Sequence, residues 1–381
     1  MFWVYLLLGA GLFMGWSLGT NDAANAFGTA VSTRVVKYRT AVIIIAVMVL
    51  LGAILMGHNN IGKLSGIATS NKVVASVDEV DAAIEAGTLG TLRLKSALKA
   101  AIIFLCAALT VFVMSYLKFP VSANQSITGA VIGWGAAYIG LDAFKGDNLM
   151  ELLEFASTWL INPIGAALIS FCLVFISKRF IEKRLTSLKH YDAVVKTGYI
   201  VAGALSAFSI GQNSAASVTA FYYDATGKGA NLFSDSFFTT LGDFLWPLYR
   251  LLGVAPEDYH IAAIITATVG GIAIAVGVLT FSRRVMETVG DSIANITQVD
   301  GFLVIIAMAL TVLLMGKLMG IPVSTSQSVV GAVIGAGLVS GVKNVHFGVM
   351  KNIGIAWISS PLSAGILAFL VGIATKGYFG A

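Results

Sequence analysis

The chain has 381 residues, of which 57% are hydrophobic and only 11% charged, with a mean hydropathy of +0.88 and a formal net charge of +5. Soluble domains carry about 25% charged residues, so this composition excludes a soluble globular fold and leaves a polytopic helical protein embedded in a lipid bilayer. The positive surplus sits in short clusters between apolar runs, where it reports orientation and not nucleic-acid binding.

At roughly 20 apolar residues per crossing, ten candidate crossings follow one another at 2–18, 40–57, 98–117, 123–141, 157–176, 196–213, 260–280, 302–319, 323–341 and 355–375. Met1 to Gly15 lacks a basic leader and a processing site, so it reads as the first membrane helix and not a removable signal. Residues 59–95, with Asp78, Glu79, Asp81 and Glu85, and residues 224–258, with Gly227, Lys228, Gly229 and Pro256, read as extramembrane excursions. Within the second, 232–252 is a weaker apolar candidate carrying Asp235, Asp243 and Pro247, interfacial or a short hairpin. Cys106 and Cys172 lie inside apolar runs and read as packing residues.

Basic residues follow the first crossing (Arg34, Lys37, Arg39), the fifth (Lys178, Arg179, Lys183, Arg184, Lys189), the seventh (Arg283, Arg284) and the ninth-crossing loop (Lys343, Lys351). Ten crossings put all four loops on the cytoplasmic side, with both termini outside, while Arg93, Lys95 and Lys99 run against the trend. Five crossings in each half invert the second half relative to the first. The expected plan is an all-α inverted-topology repeat with broken or re-entrant helices. It comprises a first membrane repeat at 1–177, a basic cytoplasmic linker at 178–195 and a second repeat at 196–381.

Two polar passages are each written twice. PVSANQSITGAVIG at 120–133 recurs as PVSTSQSVVGAVIG at 322–335, and GTNDAANAFG from Gly19 has a looser echo in GQNSAASVTA from Gly211. Trp159 and Pro163 are matched by Trp357 and Pro361. Asn21, Asp22 and Asn25 follow an apolar run that is already deep in the bilayer, where an isolated carboxylate costs several kcal/mol. Two readings stand: a cation site, with Gly19 and Gly28 letting the chain unwind to present carbonyls, or a helix cap with Asp22 starting the next helix. The two proline-led passages read as helix starts, with proline in the first turn and Ser122, Asn124, Ser324, Thr325 and Ser326 near free backbone N–H groups. Such ends suit an oxyanion; the alternative is paired caps and serine-mediated packing. No lysine or arginine lies inside either polar passage, so a bound anion would be balanced by co-bound cations or helix termini. The four histidines have no metal-ligand spacing, and no nucleotide-binding or nucleophile motif is present, so no enzyme chemistry is expected.

GTNDAANAFGTAV closely resembles the GANDVANAFGT-type signature of the inorganic phosphate transporter (Pit) family of sodium- or proton-coupled permeases. IPVSTSQSVVGAVIGAG resembles that family's second region, PVSTTH followed by a glycine-rich helix, with Gln327 where histidine is common. The resemblance implies an inner (plasma) membrane symporter for inorganic phosphate, with sodium as coupling ion, no other cofactor, and an oxyanion held between the halves. Sulfate or proton coupling in the same fold are the variants; a channel or a non-transporting scaffold is the alternative class. Matched residue by residue, it implies Asn21, Asp22, Asn25, Asn213, Ser214 and Ser217 for sodium. For phosphate it implies Ser122, Asn124, Gln125, Ser324, Thr325, Ser326 and Gln327. In the second half the family often repeats the aspartate that stands here as Ser214. Oligomeric state stays open, with a homodimer among the options.

Overall fold

The computed structural model of the chain describes residues 2–117, 121–184, 187–220, 261–283, 286, 296–320, 322–341 and 347–379. Among them lie twelve α-helices and no strand. They are α1 (Phe2–Ser32), α2 (Tyr38–Met56), α3 (Ile61–Ser70), α4 (Val77–Glu85), α5 (Leu89–Tyr116), α6 (Ala123–Ile139) and α7 (Gly146–Ile176). The rest are α8 (Leu188–Thr219), α9 (Ile261–Phe281), α10 (Gln298–Met319), α11 (Thr325–Ser340) and α12 (Phe347–Phe379). The excursion expected at 224–258, including the candidate span 232–252, lies outside the described residues.

Seven described helices are long and apolar enough to cross a bilayer, which makes this a multi-pass membrane protein. Each of the ten expected crossings coincides with a helix, the shortest of them α11. Helix α11 has 16 residues, about 24 Å of rise, short of the ~30 Å hydrocarbon core.

The signature passage corrects an expectation. Helix α1 runs unbroken from Phe2 to Ser32, so Asp22 neither caps a helix nor sits in unwound chain. Gly19 serves close approach instead: a Cβ there would strike the carbonyl oxygen of Ile274 on α9, and a Cβ on Gly277 would strike the Trp16 carbonyl. The same seam recurs between α8 and α2, where Gly211 meets the Val49 carbonyl and Gly52 that of Phe208.

A second pair of seams repeats this logic. Gly129 and Gly133 of α6 lie on the Pro361 and Gly365 carbonyls of α12, while Gly331 and Gly335 of α11 lie on the Pro163 and Ala167 carbonyls of α7. The duplicated glycines and prolines therefore touch each other across the halves, α6 with α12 and α11 with α7. Without a hydrophobic drive between helices in lipid, such backbone-to-backbone contacts supply van der Waals packing that larger side chains forbid. Helix faces away from the seams carry exposed apolar stripes at every fourth residue: Ile43, Val47 and Leu51; Leu160, Ile164 and Leu168; Ile358, Leu362, Ile366 and Leu370. These are the lipid-facing sides.

The lysines that ran against the charge rule are accounted for. Helix α5 begins at Leu89, so Arg93, Lys95 and Lys99 lie on a helix and not in a loop. Lys95 donates to the Phe379 carbonyl (3.2 Å) at the end of α12, and Lys99 to the Lys72 carbonyl (3.1 Å). Lys376 likewise donates to the Ala137 and Tyr138 carbonyls at the end of α6. Cations at helix C-termini satisfy unpaired carbonyls and complement the dipole. In the region 59–95, Asn60, Leu64 and Ile67 are buried, while α4 is closed by a Ser76–Glu79 capping box and half-exposed. Past α7, Lys178 reaches the buried Asp300 at the start of α10 (3.3 Å).

The seams yield a direct test. Gly331→Ala is expected to lower stability in detergent by about 1–3 kcal/mol, seen as a reduced thermal midpoint. Gly354→Ala, on α12 with nothing within 4 Å of a Cβ, is expected to leave it unchanged or raise it.

Candidate substrate and ion site

The bundle brings four elements together at its centre: the middle of α1, the C-terminal half of α8, and the starts of α6 and α11. All thirteen residues singled out from the sequence are buried there, none more than 8% exposed. That places a compact set of amides, hydroxyls and one carboxylate inside an apolar bundle.

The two helix starts share one construction. Ser122 caps α6 by accepting from the Gln125 N–H (3.3 Å), and Ser324 caps α11 by accepting from the Gln327 N–H (3.2 Å). Serine, not proline, is the capping residue: Pro322 stands two residues before the cap, outside the helix, and Pro120 lies outside the described residues. The caps leave the first N–H groups, of residues 123–124 and 325–326, without intrahelical acceptors, as every helix start does.

Before α11 the described residues Pro322–Ser324 are not helical, Ser324 is extended, and Val323 is held on both sides of its peptide. The Asn213 side chain accepts from the Val323 N–H (2.8 Å) and donates to its carbonyl (2.8 Å), while Asn124 donates to the same carbonyl (2.6 Å). Ser217 in turn donates to the Asn124 side-chain oxygen (2.5 Å). Asn213 and Asn124 thus have their amides engaged with backbone. Asn162, one residue before Pro163 on α7, was not singled out from the sequence. It donates to the Ser324 carbonyl (2.8 Å) and accepts from Ser328 (2.7 Å), fixing the start of α11. A lone buried amide in an apolar helix was the available signal.

Asp22 faces this scaffold. Its carboxylate accepts from Asn25 (3.4 Å) and lies beside the hydroxyls of Thr325 and Ser214; Asn25 also donates to Thr325 (3.2 Å). Asn21 turns the other way and donates to Ser115 on α5 (2.9 Å). Ser324 and Ser326 hydroxyls lie 3.1 Å apart. The side-chain oxygens of Gln125 and Gln327, at matching places in the two helix starts, are both buried and unpartnered. Asp22 is the one carboxylate among the thirteen. The arrangement therefore offers acceptors for a cation around Asp22 and free N–H groups for an anion at two helix starts. It contains no general acid–base pair or nucleophile–base pair.

A model of the phosphate transporter family matches residues 18–368. The chain belongs to that family. It is a transporter and not an enzyme, and phosphate transport is the family's activity. A relative from Thermococcus kodakarensis, provisionally named a phosphate permease, is 27% identical over 414 residues covering 97% of each chain. The chloroplastic inorganic phosphate transporter 2-1 of Arabidopsis thaliana is 27% identical over 98% of this chain and 72% of its own. A solved sodium-dependent phosphate transporter superposes with a TM-score of 0.70 over 99% of both chains at 24% identity, a likeness that carries the fold.

The clamp on Val323 is open to measurement. Asn213→Ala strands the Val323 N–H and is expected to cost about 1–3 kcal/mol, read as a lower thermal midpoint in detergent. Asn213→Asp, which sets a buried carboxylate oxygen against the Val323 carbonyl, is expected to cost at least as much.

Proposed function

We propose that this transporter imports inorganic phosphate together with sodium across the plasma membrane, as a secondary symporter. The observation that carries the reading is a buried carboxylate, Asp22, set among neutral donors where two capped helix starts meet. A buried carboxylate in a bilayer costs several kcal/mol unless something neutralises it, and no lysine or arginine is among the buried residues described. A sodium ion supplies that charge, with Asp22, Asn25, Ser214 and Thr325 as its oxygen-bearing neighbours. The solved neighbour of similar fold is itself sodium-dependent, which supports the choice of ion.

The anion sits against the N–H groups and hydroxyls at the starts of α6 and α11: Ser122, Gln125, Ser324, Ser326 and Gln327. Neutral donors hold an oxyanion less tightly than arginine would, which suits a carrier that must release it. The unpartnered oxygens of Gln125 and Gln327 favour phosphate over sulfate. Near neutral pH phosphate carries a proton to donate to such acceptors and sulfate carries none. Asn213, Asn124 and Asn162 act in this reading by holding backbone, and Ser217 by holding Asn124; Asn21 supports α5. Residues 1–177 and 196–381 form the two repeats whose relative motion alternates access, joined by 178–195.

Proteoliposomes with labelled phosphate, and sodium and proton gradients set independently, test the reading. An inward sodium gradient is expected to drive phosphate accumulation, and Asp22→Asn to reduce it to background while the protein stays monodisperse. Sodium-driven uptake at parental rates by Asp22→Asn would remove the carboxylate from the mechanism.

A further inference from the structure

We infer that the trough between α6 and α12 is a phospholipid site, with one acyl chain lying in the trough and the lipid's phosphate at Lys376. The inference holds whichever ion the central site carries. The two helices meet through bare backbone at Gly129, Gly133 and Gly365, positions with no side chain to fill the flank of the seam. A cavity of about 460 Å³ remains there, walled by Phe144 ahead of α7, Trp159 on α7 and Phe369 on α12. No charged, hydroxyl or amide side chain lines it. Ile358, Leu362 and Ile366 line the same cavity and also belong to the exposed stripe of α12. The cavity therefore opens sideways into the bilayer, and its occupant comes from the lipid.

Its length fits the chain of one leaflet. From Ile358 to Phe369 the lining follows α12 for about 16 Å at 1.5 Å per residue, half of the ~30 Å hydrocarbon core. An acyl chain has that reach and brings no polar atom to be left unpaired against apolar walls.

Charge marks the headgroup end. Lys376 lies two turns beyond Phe369 on the same face of α12, about 10 Å further along the axis. Its ammonium donates to the carbonyls of Ala137 and Tyr138 (3.1 and 3.3 Å), next in the chain to Ala136 of the cavity lining. An ammonium has three donors, so one N–H is left for a phosphate oxygen. Lys95, on the Phe379 carbonyl, sets a second cation at the same helix end. Asp142, close to Phe144 in the chain, is already paired with Lys145 (3.0 Å). This end of the trough is thus net positive and complements an anionic headgroup.

The test takes the full-length protein in detergent, with phosphatidylglycerol and phosphatidylcholine of the same chains as probes and bound lipid counted by native mass spectrometry. Phosphatidylglycerol is expected to bind about fivefold more tightly, the effect of one lysine beside an anionic lipid. Lys376→Gln, whose amide can still donate to the α6 carbonyls, is expected to erase that preference while both lipids still bind. Ala136→Phe, which fills the trough, is expected to remove bound lipid of either kind. If Ala136→Phe does not fold, Trp159 decides. Chain-brominated phosphatidylglycerol at a slight molar excess is expected to quench the fluorescence of the parent protein more than that of Trp159→Phe. Inorganic phosphate is expected to leave lipid binding unchanged, since the trough selects for the chain. Equal binding of the two lipids by the parent, retention unaltered by Ala136→Phe, equal quenching with and without Trp159, or displacement by inorganic phosphate would overturn the site. A dimer that retains no lipid would overturn it as well, and would seat a second copy of the chain on this face.

Discussion

The centre of this protein depends on a few residues of non-helical backbone, Pro322 to Ser324, buried in a bundle that spans a membrane. Non-helical backbone at such depth has no water to pair with and persists only where protein supplies every partner. Here three asparagines from three different helices do so: Asn213 and Asn124 on Val323, and Asn162 on the Ser324 carbonyl. With those groups satisfied, α11 can begin in the interior, its first N–H groups directed at the space that α1 and α8 also face. Side-chain amides are suited to this task because each carries a donor and an acceptor, as a peptide group does.

That clamp is useful only if the helices approach closely enough to reach it, which is where the glycine seams enter. Gly331 and Gly335 let α11 lie on α7, the helix that carries Asn162; Gly211 lets α8, which carries Asn213, lie on α2. The proline carbonyls at 163 and 361 form the opposing surface. Packing and polar satisfaction are thus one problem. The small residues set the spacing, and the spacing decides which amides find backbone.

Much of the helical inventory was legible in the sequence, because long uncharged runs have few alternatives in lipid. The thirteen polar residues were legible too, as departures from that background written twice. What sequence could not convey was the partner of each. Gly19, Asn21 and Asp22 read locally as a break or a cap, since glycine and Asx residues favour both. Instead α1 continues straight through, with Gly19 against α9, Asn21 on Ser115, and Asp22 turned to Thr325 and Ser214. Asn213 and Ser214 are neighbours in sequence, yet one grips backbone and the other faces the carboxylate. Lys95 and Lys99 looked like violations of a topological rule until the helix ends they satisfy were in view. Asn162 escaped notice for the same reason, its meaning residing wholly in a carbonyl 162 positions away.

The division of each long helix into a seam and an outward stripe has an evolutionary corollary. Positions such as Leu160 and Ile164 meet only fluid acyl chains, so any greasy side chain serves there and drift is nearly free. Positions such as Gly129, Gly133, Gly331 and Gly335 admit no atom beyond Cα. Descendants of this chain are therefore expected to look unrelated around their annulus while remaining almost frozen along four narrow lines.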